Sequence, residues 1–192
     1  MAMGLGLLGR SRRAYGVLLA TVHLLGAAVG GAAIGVALGL GGAAFELAKV
    51  RPFVLRIAAV GTAWIALFRP QATLGLDRQV PRRWLERMHP ARAYALWGVM
   101  LGSGVATLIP YSAAVLLHAA QATAPIGAAA ASGVAFGLTR QGLALAEAYA
   151  QPDIMKISHL LVRLRTFARG LNVAVTLTAG AALLGVTVLR AL

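Results

Sequence analysis

Apolar and charged residues along this chain fall into blocks far longer than the hydrophobic faces of a water-soluble fold. The first apolar block runs from Ala14 to Phe45, and Glu46, Lys49, Arg51 and Pro52 interrupt it. A second, Phe53–Phe68, closes at Arg69 and Pro70, and a polar connection rich in arginine follows as far as Pro90. From Ala93 to Thr139 there is then no Asp, Glu, Lys or Arg, with Arg92 and Arg140 at the two borders. One helix needs roughly 20 apolar residues to cross the hydrocarbon core of a bilayer. A charge-free window this long therefore predicts two crossings joined by a short uncharged turn at Gln121–Pro125. The whole pattern predicts an all-α, polytopic transmembrane helical bundle. Its five spans are at about 14–45, 53–68, 91–120, 125–149 and 171–189, within a single transmembrane domain over 1–192.

Two polar-apolar segments are predicted to lie along the membrane surface. In 78–89, Pro81 opens a short helix with Trp84 at headgroup depth. In 153–169, Ile154, Ile157, Leu160, Leu161, Leu164 and Phe167 recur at helical spacing between basic residues. The first block is too long for the ~7–15-residue core of a signal peptide and reads as a retained first span. As one helix it would measure roughly 48 Å, so it tilts, projects from the bilayer or breaks near Gly39, Gly41 and Gly42. Its glycines are ordered: Gly26 and Gly30 are four apart, as are Gly31, Gly35 and Gly39, and Gly98–Gly102 and Gly133–Gly137 repeat the spacing. Small residues at this interval leave a flat groove that admits another helix backbone.

Composition agrees, with 59% hydrophobic and 12% charged residues and a mean hydropathy of +0.79. The net charge of +13 does not argue for nucleic acid, because the basic residues gather between the apolar blocks, as the positive-inside rule expects. With the N-terminus in the cytoplasm, Arg10–Arg13, the Arg69–Arg92 cluster and Lys156–Arg169 all lie inside. The expected location is the bacterial cytoplasmic (inner) membrane, N-terminus in and C-terminus out. Splitting the first block into a hairpin would place the Arg69–Arg92 cluster outside and is rejected.

Candidate chemistry is sparse. Arg140 lies within the fourth span, beside Gln141, and ionisable residues inside a membrane segment are functional candidates by default. Glu147, two turns on, or Glu46 would be its partner; otherwise it snorkels to lipid phosphate. In the third span Ser103, Thr107 and Tyr111 are spaced to form one polar stripe, and Pro110 frees a carbonyl and kinks the helix. The stripe reads either as a ligand path or as hydroxyls bonded to their own backbone. His23 and His118 have no second ligand at metal spacing, so neither a metal nor a cofactor is expected. There is no cysteine and there are five acidic residues in all, which leaves an enzyme active site little to work with.

Arg78-Gln79-Val80, Trp84-Leu85, Leu101-Gly102-Ser103-Gly104-Val105-Ala106-Thr107 and Ala135-Phe136-Gly137-Leu138-Thr139-Arg140 together resemble a family. It is a branch of small bacterial membrane proteins related to the transmembrane domain of the CcdA and DsbD proteins of cytochrome c biogenesis. The resemblance covers about 78–142. It implies a CcdA-like helical fold, in which a cysteine before the proline of a kinked span carries electrons. Here Leu108-Ile109-Pro110 keeps the proline without the cysteine, so the expectation is a non-redox relative. Two functions fit: a helix-packing subunit of a membrane complex, packed against another protein through its glycine grooves, or a transporter of a small solute. The expected partners are the lipid bilayer and a homo-oligomer or another membrane protein. The subunit is the reading the over-long glycine-faced first span favours.

Overall fold

A computed structural model describes residues 10–69, 86–104, 112–150, 170, 172–178 and 181, and all the regular structure among them is helical. Helix α1 is a single rod of 35 residues, Arg10–Ala44. It does not break at Gly39, Gly41 or Gly42, because two of these sites are packed rather than strained. Gly39 lies against Ile126 and Gly42 against Ala122. The chain turns back at once. Glu46 adopts a left-handed conformation (φ 52°), a 3-10 turn covers Leu47–Val50, and Arg51–Phe68 forms α2 with proline in its first turn. Proline is at home there, since the first N–H groups of a helix have no intrahelical acceptor.

Helix α3, Pro90–Ser103, begins after His89, whose ring accepts a hydrogen bond from the Ala91 N–H. It ends at Gly104, which takes a φ of 71°, a conformation that glycine reaches without a Cβ penalty. The expected single kinked span over 91–120 is corrected by this stop: a glycine ends the helix after Ser103, and a separate helix α4 covers Ala113–Ala122. Helix α5, Ile126–Ala150, follows a tight turn at 123–125. Residues 172–178 are helical as well. Among the expected interfacial segments, 153–169 and most of 78–89 lie outside the described residues, as does most of the fifth span.

Helix α1 is the axis of the bundle. Gly26 faces Ala95, Gly30 faces Val99 and Gly102 faces Ala27, so α3 runs parallel to α1. Gly31 faces Gly133, Gly35 faces Ala129 and Gly39 faces Ile126, so α5 runs antiparallel along another face. The C-terminal end of α4 reaches the level of Gly42. Thus α3 and α4 succeed one another along α1 as two half-length helices, where one span was expected.

The interior is small and polar. Among the described residues the buried apolar ones are all alanine, including Ala27, Ala59, Ala93 and Ala129. The largest fully buried side chains among the described residues are His23, Gln121, Thr62, Thr123 and Thr176. Large apolar groups stand outside, including Leu25, Val29, Phe53, Ile57, Trp64 and Phe68. A protein folded in water arranges these classes the other way round. Two helical stretches, Ala14–Ala44 and Leu47–Phe68, are long and apolar enough to cross a membrane.

Candidate functional site

Ala27, completely buried, is the point at which three helices meet. Gly98 and Gly102 of α3 and Gly137 of α5 all press on its backbone, and a Cβ at any of the three would collide with main-chain atoms of α1. Such contact is open only to glycine, and it draws polar groups of α3 and α5 to the same level.

One turn towards the start of α1, His23 is 1% exposed. Its Nδ1 lies 3.2 Å from the Tyr94 carbonyl of α3, and its Nε2 lies 3.1 Å from the Gln141 side-chain oxygen of α5. A carbonyl only accepts, so Nδ1 donates to it. A neutral ring then accepts at Nε2 from the Gln141 amide, whose nitrogen and oxygen ends exchange by a half-turn. The Tyr94 ring meets the imidazole edge-on at 6.3 Å. Gln141 was named from the sequence; His23 was not linked to it.

Arg140 turns towards α3. Its Nη1 donates to the Leu101 carbonyl at 2.7 Å, and Ser103 Oγ donates to the Met100 carbonyl at 2.8 Å. Both acceptors belong to the last turn of α3, where carbonyls have no intrahelical donor and the helix dipole presents about half a negative charge. A guanidinium is suited to that end. The expected pairing with Glu46 is corrected, because Glu46 binds Lys49 at 2.6 Å in an exposed ion pair beyond the far end of α1. Arg140 lies 14 residues into α5 from Ile126, about 21 Å along the axis from that end. The Glu147 side chain lies outside the described residues, as do Thr107, Pro110 and Tyr111.

The second half-helix is capped in the opposite sense. Asn172 Oδ1 accepts from the Ala113 N–H at 3.0 Å, and its Nδ2 donates to Ser112 Oγ at 3.2 Å. Asn172 thereby serves the positive end of α4. It is the only asparagine in the chain, which was the available signal. An amide side chain at the edge of an apolar block has hydrogen-bonding capacity that lipid cannot meet. Further along α4, Gln121 Nε2 donates to Ser132 Oγ at 3.1 Å while its oxygen faces His118 Nδ1 at 2.9 Å. The other ring nitrogen of His118 and the Trp97 indole N–H are buried with no hydrogen-bond partner.

The arrangement is the end of one helix and the start of the next, with a cation at the carbonyl end of α3 and an amide oxygen at the N–H end of α4. Non-helical backbone at membrane depth persists only where protein surrounds it or where it lines a polar path. Among the described residues no group of three or more His, Asp or Glu lies close enough to hold a metal ion. Comparison with protein-family models, with curated proteins and with solved structures returns no match.

Proposed function

We propose that this chain is a multi-pass protein of the bacterial cytoplasmic membrane, CcdA-like but non-redox, that passes a small polar or anionic solute through its interrupted third span. The observation that carries the reading is the pair of short helices whose successive ends are served from other helices, the last turn of α3 by Arg140 and the first turn of α4 by Asn172. Discontinuous helices of this kind present N–H dipoles and unwound carbonyls to solutes near the bilayer midplane. The membrane setting is supported by the inverted distribution of side chains, alanine and polar groups within and Leu, Phe and Trp without. The proposed topology has five spans with the N-terminus inside and the C-terminus outside.

Transport is tested in proteoliposomes offered radiolabelled carboxylates, amino acids and inorganic anions in turn. Arg140→Gln abolishes uptake of the solute that wild type carries, while Arg140→Lys keeps part of it. Undiminished flux through Arg140→Gln rules out the role given to this residue. The topology is tested in a chain that has no native cysteine. Gly127→Cys, where a new side chain meets open space, should react with a membrane-impermeant maleimide added outside intact cells, and Glu86→Cys should not. The reverse pattern overturns the orientation.

A second reading, a helix-packing subunit, has one observation in its favour. Phe53, Ile57, Trp64 and Phe68 stand outward on α2, with the Trp64 and Phe68 rings 4.3 Å apart. Its original support is weaker, because the glycine grooves of α1 are filled by α3 and α5 of the same chain. Purification in mild detergent decides between the two: a second protein in fixed stoichiometry supports the subunit, and the chain alone or as a homo-oligomer supports the carrier.

A further inference from the structure

At the start of α3 an open cleft of about 450 Å³ is lined by Arg87, Met88, His89, Arg92, Ala95 and Leu96. Its chemistry is split by height. Arg92 is the last charged residue before the charge-free window that begins at Ala93, while Ala95 and Leu96 lie about one turn further along the helix. On the membrane placement proposed above, the arginines stand at headgroup depth and the apolar wall stands at the top of the hydrocarbon. Met88 and Leu96 are both more than a third exposed, so this wall is open to an occupant. The ion pair found among the described residues, Lys49–Glu46, is at the opposite end of the bundle, and neither guanidinium in the cleft has an acidic partner among those residues. His89 is engaged in capping α3 through its Nδ1, so the available cations are the two arginines.

We propose that this cleft is a binding site for one anionic phospholipid, its phosphodiester held between Arg87 and Arg92 and its first acyl carbons against Met88, Ala95 and Leu96. Guanidinium matches the paired oxygens of a phosphate, and basic clefts at the membrane boundary recognise anionic headgroups in this way. A free phosphate ion would use the arginines and leave the apolar wall bare. A zwitterionic lipid would use the wall and bring its own cation to the arginines. The assignment rests on the membrane placement and not on the solute path, so it is tested without any flux measurement.

The test is native mass spectrometry of the full chain released from detergent micelles doped with phosphatidylglycerol or phosphatidylcholine, with thermal unfolding in the same mixtures. Wild type should retain one phosphatidylglycerol in preference to phosphatidylcholine and unfold at higher temperature with it. Arg87→Gln and Arg92→Gln should each weaken retention roughly 5-fold, and together roughly 25-fold, on the attraction of a single basic residue to an anionic surface. Arg51→Gln, which removes a cation at the other end of the bundle, should change neither readout. Equal retention by the double variant overturns the site, and so does equal retention of phosphatidylcholine by wild type. Stabilisation by inorganic phosphate alone, to the same extent as by phosphatidylglycerol, overturns the lipid as its occupant.

Discussion

His23 and Gln141 illustrate what a buried hydrogen bond does in a bundle whose buried apolar residues, among those described, are all alanine. Each satisfies the other across two helices, and the imidazole reaches a third helix through the Tyr94 carbonyl. Replacing either with leucine strands a polar group in the interior, at a cost of about 1–3 kcal/mol. Replacing both should restore much of the loss, because no orphan remains, and a double-mutant cycle on thermal stability reads that coupling directly. Equal and additive losses would show that the two side chains act apart. Asn172→Ala removes a cap from α4 and should cost about 1 kcal/mol. Arg140→Gln removes a charged donor from the end of α3, about 1.5–3 kcal/mol. The sequence marked Arg140 and Gln141 as polar residues in an apolar block, which is a local property. It could not reveal their partners, since Arg140 meets a main-chain carbonyl at Leu101, a group every residue carries, and Gln141 meets His23, 118 positions away in the chain. Asn172 escaped notice because it lies at the start of a block otherwise read by its apolar residues.

At the scale of helices, the spacing of glycine was the most legible feature and the point at which α3 stops was the least. Four-residue intervals in α1 align Gly26 with Gly30 and Gly31 with Gly35 and Gly39, and these two rows face α3 and α5 respectively. Spacing states that a backbone can come close, but not whose backbone it is. The occupants here are segments of the same chain. Gly30→Ala, Gly102→Ala and Gly133→Ala each force main-chain atoms apart. The expected net loss is about 1–3 kcal/mol, even though alanine itself favours a helix by about 1 kcal/mol. Gly61→Ala supplies the contrast: a Cβ there meets nothing within 4 Å, so the helix preference should emerge as a small gain in melting temperature. The break in the third span was expected at Pro110, on the general rule that proline interrupts a helix. Gly104 ends α3 earlier because its left-handed conformation and the Arg140 contact one turn back together complete a helix end. That second ingredient comes from a residue 36 positions away in the chain.

For the molecule as a whole, block length and the absence of charge predicted helices, and helices are what the described residues form. Distribution across the interior was not readable in advance, because a run of Ala, Gly and Leu contains both the residues that go in and those that stay out. The close approach of backbones, at Ala27 and along the glycine rows of α1, separates them. The unbroken α1 carries a last consequence. Its apolar stretch of 31 residues measures about 46 Å against a hydrocarbon thickness of ~30 Å, and tilting alone would need about 50°, beyond the usual range of 0–40°. On the membrane placement proposed above, the rod, packed on both sides, does not shorten by kinking, so either its ends project from the bilayer or the surrounding lipid stretches to cover it. The second outcome would make this protein a gauge of membrane thickness. Reconstituted into bilayers of increasing acyl length, it should gain thermal stability towards the thicker ones and cluster in the thinnest.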